Sequence, residues 1–367
     1  GGSSVEMDPL VIYAGGKEEP LSGDELFEQG VGALQAQEFP RCIAQLSEHL
    51  ERFPEHPARL YARYNLALCF ELSTRYQEAS AELTRYIKEA QEGGASQSDL
   101  LDGEVRLGFN LVHASQPERA LELYTRLLTE EPLIGFDRAE CHLRRAMAHI
   151  SLERFAEAER DLSLAMSHIN GSIGPNREGN EPLAEVHFQR GELYRKHMRH
   201  IKLKMPLEHM KLLFADKVLF FRKSLYAYVD ALNVHHVYWG VAAGHQLGLL
   251  HEQLYSDFML AEAPEDFDEE TLAYYFYELE KKLAPLLKES ISIYEKTMTL
   301  SVTHGVSNDW VRATERQLKR LRDLEEGVQR RLTLDPLEAQ KQRPPARELA
   351  GPPSPTSEPQ EEVATTP

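Results

Sequence analysis

The sequence predicts an all-α solenoid of antiparallel helix pairs, with longer helices toward its C-terminus and a disordered tail. Three observations predict it. A small residue inside a helical apolar pattern returns at Cys42, Ala79, Ala120 and Ala158, in steps of 37, 41 and 38 residues. The apolar spacing around each is near 3.6 rather than 2, which is helix and not strand. Prolines and polar clusters punctuate the runs at the same phase.

Around each anchor the other positions follow in one register. Twelve residues before it stand Gly30, Ala67, Gly108 and Ala146. Three before it stand Phe39, Tyr76, Pro117 and Phe155, and four after it Leu46, Leu83, Tyr124 and Leu162. Twelve after it Pro54 and Pro132 end a helix, whereas Gln91 and Asn170 depart from that pattern. Small residues let two helices approach, and large ones fill the space between neighbouring pairs. Over residues 23–170 this resembles the tetratricopeptide repeat (TPR), whose period is about 34 residues before loop insertions.

Residues 1–20 read as an irregular lead-in and 21–170 as four TPR-like units. GGSS at 1–4 suits either a cloning remnant or the flexible start of a mature secreted chain or lipoprotein. Residues 171–334 read as further helix pairs with a capping helix. A fifth unit opens at AEVHFQRGELYRKHMRHIKLKM, with Gly191 in the small position and Pro206 breaking the run. A long helix over roughly 208–233 follows, from the unbroken apolar periodicity of that stretch. HVYWGVAAGHQLGLLHEQLYSDFM supplies a sixth first helix, with Ala242, Ala243, Gly244 and Gly248 for close packing. After the acidic loop APEDFDEE, a helix runs to about Leu300. The last helix opens on the capping cluster Ser307–Asp309 and carries the stripe Trp310, Leu318, Leu321, Val328 and Leu332. From 335 to 367 the chain is rich in Pro, Ser, Thr and Glu and is expected to be disordered.

Net charge is −18, which disfavours non-specific binding to nucleic acid or an anionic bilayer. No apolar run reaches the roughly 18 residues of a membrane span. Cys42, Cys69 and Cys141 are odd in number and form no C-x-x-C, so small core residues are expected rather than a disulfide framework or zinc knuckle.

Enzyme motifs fail on inspection. A phosphate loop ending at Gly16-Lys17 needs Gly at 11 and Ser or Thr at 18, where Val11 and Glu18 stand. HEQLY places Tyr255 where a zinc-protease helix needs its second histidine. His197 and His200 have a metal-ligand spacing, but Arg195, Lys196, Arg199 and Lys202 around them repel a cation. Neither a metal nor a cofactor is expected.

The candidate site is the groove that the first helices line. The repeat register nominates Phe27, Leu34, Tyr61, Tyr64, Val105, Phe109, Leu143, Met147 and Phe188, a lining suited to an apolar helix or extended peptide. The family's carboxylate clamp is met only by Asn65 and Arg106; Phe27, Val31 and Asp102 break it, which speaks against an Hsp-type co-chaperone. The basic segment 195–204, with Arg195, Lys196, Arg199, Lys202 and Lys204, either docks internally on acidic helices or holds an anionic partner; the internal role is favoured.

Residues 184–325 resemble a narrower group. IKLKMPLEHMK, AAGHQLGLLHEQLYSDFM, LAPLLKESISIYEKTM and GVSNDWVRATERQLKRL are similar, in the same order, to segments of TPR proteins of myxobacteria and related deltaproteobacteria. Some of those are cell-envelope lipoproteins and some are labelled with adventurous gliding motility. The resemblance implies a non-enzymatic scaffold facing the periplasm or attached to the outer membrane, with a lipid anchor before residue 1 as one route of attachment. The alternatives are an outer-membrane assembly factor of the barrel-assembly lipoprotein type and a cytoplasmic TPR adaptor. In each the partner is a protein.

Overall fold

The computed structural model describes residues 21–349 and is all-α, with no strand among the described residues. Antiparallel helix hairpins follow one another in chain order within two compact units, which divide between Glu104 and Val105. The expectations for 1–20 and for 350–367 lie outside the described residues.

The first unit pairs α1 (Gly23–Gln35) with α2 (Phe39–Arg52) and α3 (Arg59–Leu72) with α4 (Tyr76–Glu92). It ends in the first turns of α5 (Gln97–His113). Ser22 starts α1 with a capping box, its hydroxyl taking the Glu25 amide while Glu25 takes the Ser22 amide. Cys42, Leu46, Ala62, Leu66 and Ala79 form the core between the hairpins. On one edge Arg63 is buried and is held by Glu82 and Glu89 of α4.

Cys42 on α2 and Cys69 on α3 are joined as a disulfide, their Cα atoms 6.4 Å apart. This corrects the expectation of three unpaired core cysteines. Both are fully buried as expected, but stacking of the second hairpin on the first brings their side chains together. Cys141 is buried and free.

The second unit continues with α6 (Pro117–Glu130), α7 (Gly135–Ser151) and α8 (Phe155–Ile173). Two longer pairs follow: α9 (Glu181–His200) with α10 (Leu207–Asn233), and α11 (Val237–Met259) with α12 (Glu269–Thr303). α13 (Asp309–Arg331) covers α11 and α12, started by the Asn308 side chain, which accepts from the Val311 amide at 3.0 Å. An aromatic knot of Phe188, Tyr228, Trp239 and Trp310 fills the centre, with rings 5.0–5.8 Å apart.

The spacing rule read from the sequence is a contact rule. A Cβ on Gly30 would lie 2.5 Å from Leu46, and one on Gly108 would lie 2.4 Å from Tyr124. The long pairs use the same contact, Gly191 against Tyr228 and Gly248 against Tyr294, although their loops stretch the sequence separation. Ser224 and Ser290 then occupy the anchor position, and each donates a hydrogen bond back to the glycine carbonyl, at 2.9 and 2.7 Å. The first four hairpins turn through Gln37, Thr74, Ser115 and Glu153, each with φ between 57° and 61°.

The start of the expected tail is corrected. α14 (Pro336–Lys341) and α15 (Ala346–Leu349) fold back on the second unit. Leu349 is buried, and its carbonyl accepts from Ser256 Oγ at 2.6 Å. The Arg343 guanidinium lies 3.6 Å from the Phe276 ring centre. A proline-rich composition predicts disorder, but buried Ala339 and Leu349 and a stacked arginine hold this stretch against the second unit.

Candidate protein-binding surface

The nominated residues divide between the two units and between surface and core. In the first unit Tyr61 on α3 is 68% exposed. Tyr64, one helical turn on, is half-buried and donates its hydroxyl to the Asp102 carboxylate on α5. Its ring lies 5.2 Å from that of Tyr86. Tyr86 in turn donates to the Asp99 carbonyl at 3.3 Å. Burial, then the charges of Asp99 and Asp102, push the Tyr86 phenol up to about 12. The result is a patch with one free tyrosine, one tethered tyrosine and a carboxylate beside them. Asn65 is half-buried on the same helix, and half-buried Phe27 on α1 packs against His49. Asp102, which breaks the carboxylate-clamp pattern, is the residue that orients Tyr64.

Leu34 is core, not lining. In the second unit Phe109, Leu143, Met147 and Phe188 are core as well, which corrects their nomination as groove residues. A first helix here has apolar residues on the side facing its hairpin mate and on the side facing the next first helix. Packing against both neighbours buries both sets. Arg144 on α7 is mostly buried at the edge of this packing. It reaches Glu185 on α9 at 2.6 Å and Glu140 at 3.5 Å, with its guanidinium 5.7 Å from the Phe109 ring centre. Val105 and Arg106 on α5 are half-buried.

The basic segment is split by its helix end. Arg195 is buried, ion-paired with Glu192 at 2.6 Å and bonded to Gln253 at 3.3 Å. Lys196 donates to the Ile150 carbonyl at 2.8 Å, capping the C-terminal end of α7. Arg199, Lys202 and Lys204 are exposed. Lys217, on α10, was not singled out in the sequence. It is fully buried, ends α9 by donating to the Met198 and Ile201 carbonyls at 2.8 Å, and pairs with Asp257 at 2.7 Å. His197 is stacked between Phe155 and Phe220 at 4.4 and 3.7 Å, while His200 lies 3.1 Å from Glu153. Among the described residues no group of three or more His, Cys, Asp or Glu is placed to hold a metal, and no helix is long and apolar enough to cross a membrane.

No protein-family model and no curated protein sequence matches the chain. Among solved structures it is similar to a tetratricopeptide repeat protein from Parabacteroides merdae, at 13% identity and TM-score 0.38 over 81% of this chain and 97% of that one. It is also similar to the apo form of RapI, at 13% identity and TM-score 0.45 over 88% and 98%. A TPR repeats protein from Bacteroides fragilis is similar at 15% identity and TM-score 0.26 over 82% and 99%. These are distant likenesses that say nothing of partner or activity.

Proposed function

We propose that the chain is a non-enzymatic protein-interaction scaffold of a bacterial envelope motility or assembly complex. In this reading it grips a partner segment on the α1/α3 face of its first unit. The observation that carries this is the pairing of exposed Tyr61 with Tyr64, whose ring is fixed by Asp102 and Tyr86. A large aromatic held in place before binding loses little entropy on contact, and tyrosines are over-represented among the residues that dominate protein interfaces. The Cys42–Cys69 disulfide favours an oxidising compartment such as the periplasm. The resemblance of residues 184–325 to envelope proteins points the same way.

The test is affinity capture from envelope and cytoplasmic fractions with wild type, Tyr61→Ala/Tyr64→Ala and Asp102→Asn. Loss of a specific protein with the double variant, and weakening with Asp102→Asn, supports the reading. Recovery of the same proteins by all three chains removes the first-unit face from consideration.

A further inference from the structure

α10 has one face with no neighbour among the described residues. Leu212, Leu219 and Tyr226, seven residues apart, are 68%, 50% and 58% exposed, and Ala215 and Arg222 are exposed between them. Seven-residue spacing keeps such residues in one stripe along a helix, drifting by only about 20° per heptad. The opposite side of α10, through Lys217, Ser224, Tyr228 and Ala231, is buried in the second unit. The stripe is therefore neither core nor random surface. Its seven-residue repeat is that of one position of a helix-pairing heptad, flanked by charged residues.

We infer that this seam pairs with α10 of a second copy of the chain, antiparallel about a two-fold axis at Leu219. The argument is self-complementarity. A two-fold contact is isologous, so the same patch must fit itself. About Leu219, Leu212 falls opposite Tyr226 of the second copy. Asp216, three residues before Leu219, and Lys223, four after it, lie on the same flank of the stripe. Each is thus brought against its opposite charge, twice by symmetry. On the other flank small Ala215 faces Arg222 and leaves room for its methylene stem. Neither Asp216 nor Arg222 forms an ion pair with any described residue; the Lys223 ammonium lies 3.6 Å from Glu159 and 4.8 and 5.5 Å from the Tyr194 and Phe220 ring centres, and turns from that surface position to meet Asp216 of the second copy. A parallel pairing instead brings opposite flanks together and sets Arg222 beside Lys223 of the second copy, like charge against like. The contact spans about 15 residues, roughly 22 Å of helix. That is at the small end of specific interfaces, so association in the micromolar range is expected.

Sedimentation of the full chain, from low to several hundred micromolar at physiological salt, tests this. Wild type is expected to move from monomer to dimer across the series, and Leu219→Asp to stay monomeric with an unchanged circular dichroism spectrum and melting temperature. Asp216→Lys and Lys223→Asp should each weaken dimerisation by about tenfold or more. The double variant Asp216→Lys/Lys223→Asp should recover it, because the opposed pairs are re-formed with exchanged signs. Wild type that remains monomeric overturns the proposal, whether or not some other helix binds the stripe. So does a dimer indifferent to Leu219→Asp, or a double variant as weak as the single ones.

Discussion

The Ser290 hydroxyl donates to the Gly248 carbonyl at 2.7 Å, and Tyr294, one turn further along α12, fills the space left by the absent Gly248 side chain. Ser224, Tyr228 and Gly191 repeat the arrangement one hairpin earlier. The hairpin contact is thus a three-residue unit: a glycine that admits the ring, the ring, and a small residue that lets the backbones close.

Gly248→Ala sets a methyl carbon 2.4 Å from the Tyr294 ring. An overpacked core of this kind is expected to lose about 1–3 kcal/mol. Gly32→Ala, in a helix with nothing within 4 Å of the new carbon, should gain about 0.5–1 kcal/mol. Urea denaturation of both variants checks the contrast; equal effects would mean that the glycines are not distinguished by their neighbours.

Reduction of the Cys42–Cys69 bond, which closes a separation of 27 residues, should destabilise the first unit by about 3–4 kcal/mol. Unfolded without reductant, the protein should show one reactive thiol, from Cys141, out of three cysteines. Three reactive thiols in protein purified from its native compartment would remove the disulfide as support for an oxidising location.

His245 sits between α11 and α13. The Thr314 hydroxyl donates to the Trp310 carbonyl at 2.7 Å, so at 3.0 Å it can only accept from His245 Nδ1. Nδ1 of the ring therefore carries a proton. Burial, then the charges of Arg195 and Arg316, depress its pKa to about 3. Burial and then Arg144 depress His113 to about 4. A histidine depressed in the fold binds its proton more readily when unfolded. Its contribution is complete above about pH 6.5 and is lost as pH falls toward those values, by up to about 1.4 kcal/mol per pH unit for each ring. Urea midpoints measured from pH 7 to pH 4 should fall steeply, and His245→Asn should flatten part of that slope. An unchanged slope in the variant would assign the acid sensitivity elsewhere.

Leu349 is buried where α15 folds back, so Leu349→Ala should cost about 2 kcal/mol and lower the melting temperature. Deleting 336–367 should cost at least as much. A truncated chain that melts like the full one would return this segment to the disordered tail that its composition suggests.

The groove was legible only in part. Tyr61 and Phe109 occupy first-helix positions of the same class in the repeat register, yet one is exposed and the other is core. The basic run 195–204 shows the same limit. Adjacent Arg195 and Lys196 are used inside the fold, whereas Arg199 is exposed, because α9 ends at His200 and its last turn reaches the surface. The α10 seam was legible in principle from the Leu212, Leu219 and Tyr226 spacing, but the same spacing describes a buried stripe until the neighbours are known.

What the sequence determined alone is local: which segments are helices, where they end, and which small residue on one helix meets which large residue on its mate. Helix pitch and a short turn set those pairings, so they survive as fixed offsets such as Gly30 to Leu46. Tertiary structure decided everything that depends on a third element. The disulfide between Cys42 and Cys69, the burial of Phe109 and Phe188, and the exposure of Leu219 all follow from which helix lies alongside. An apolar side chain carries no mark of whether a neighbour will come to cover it.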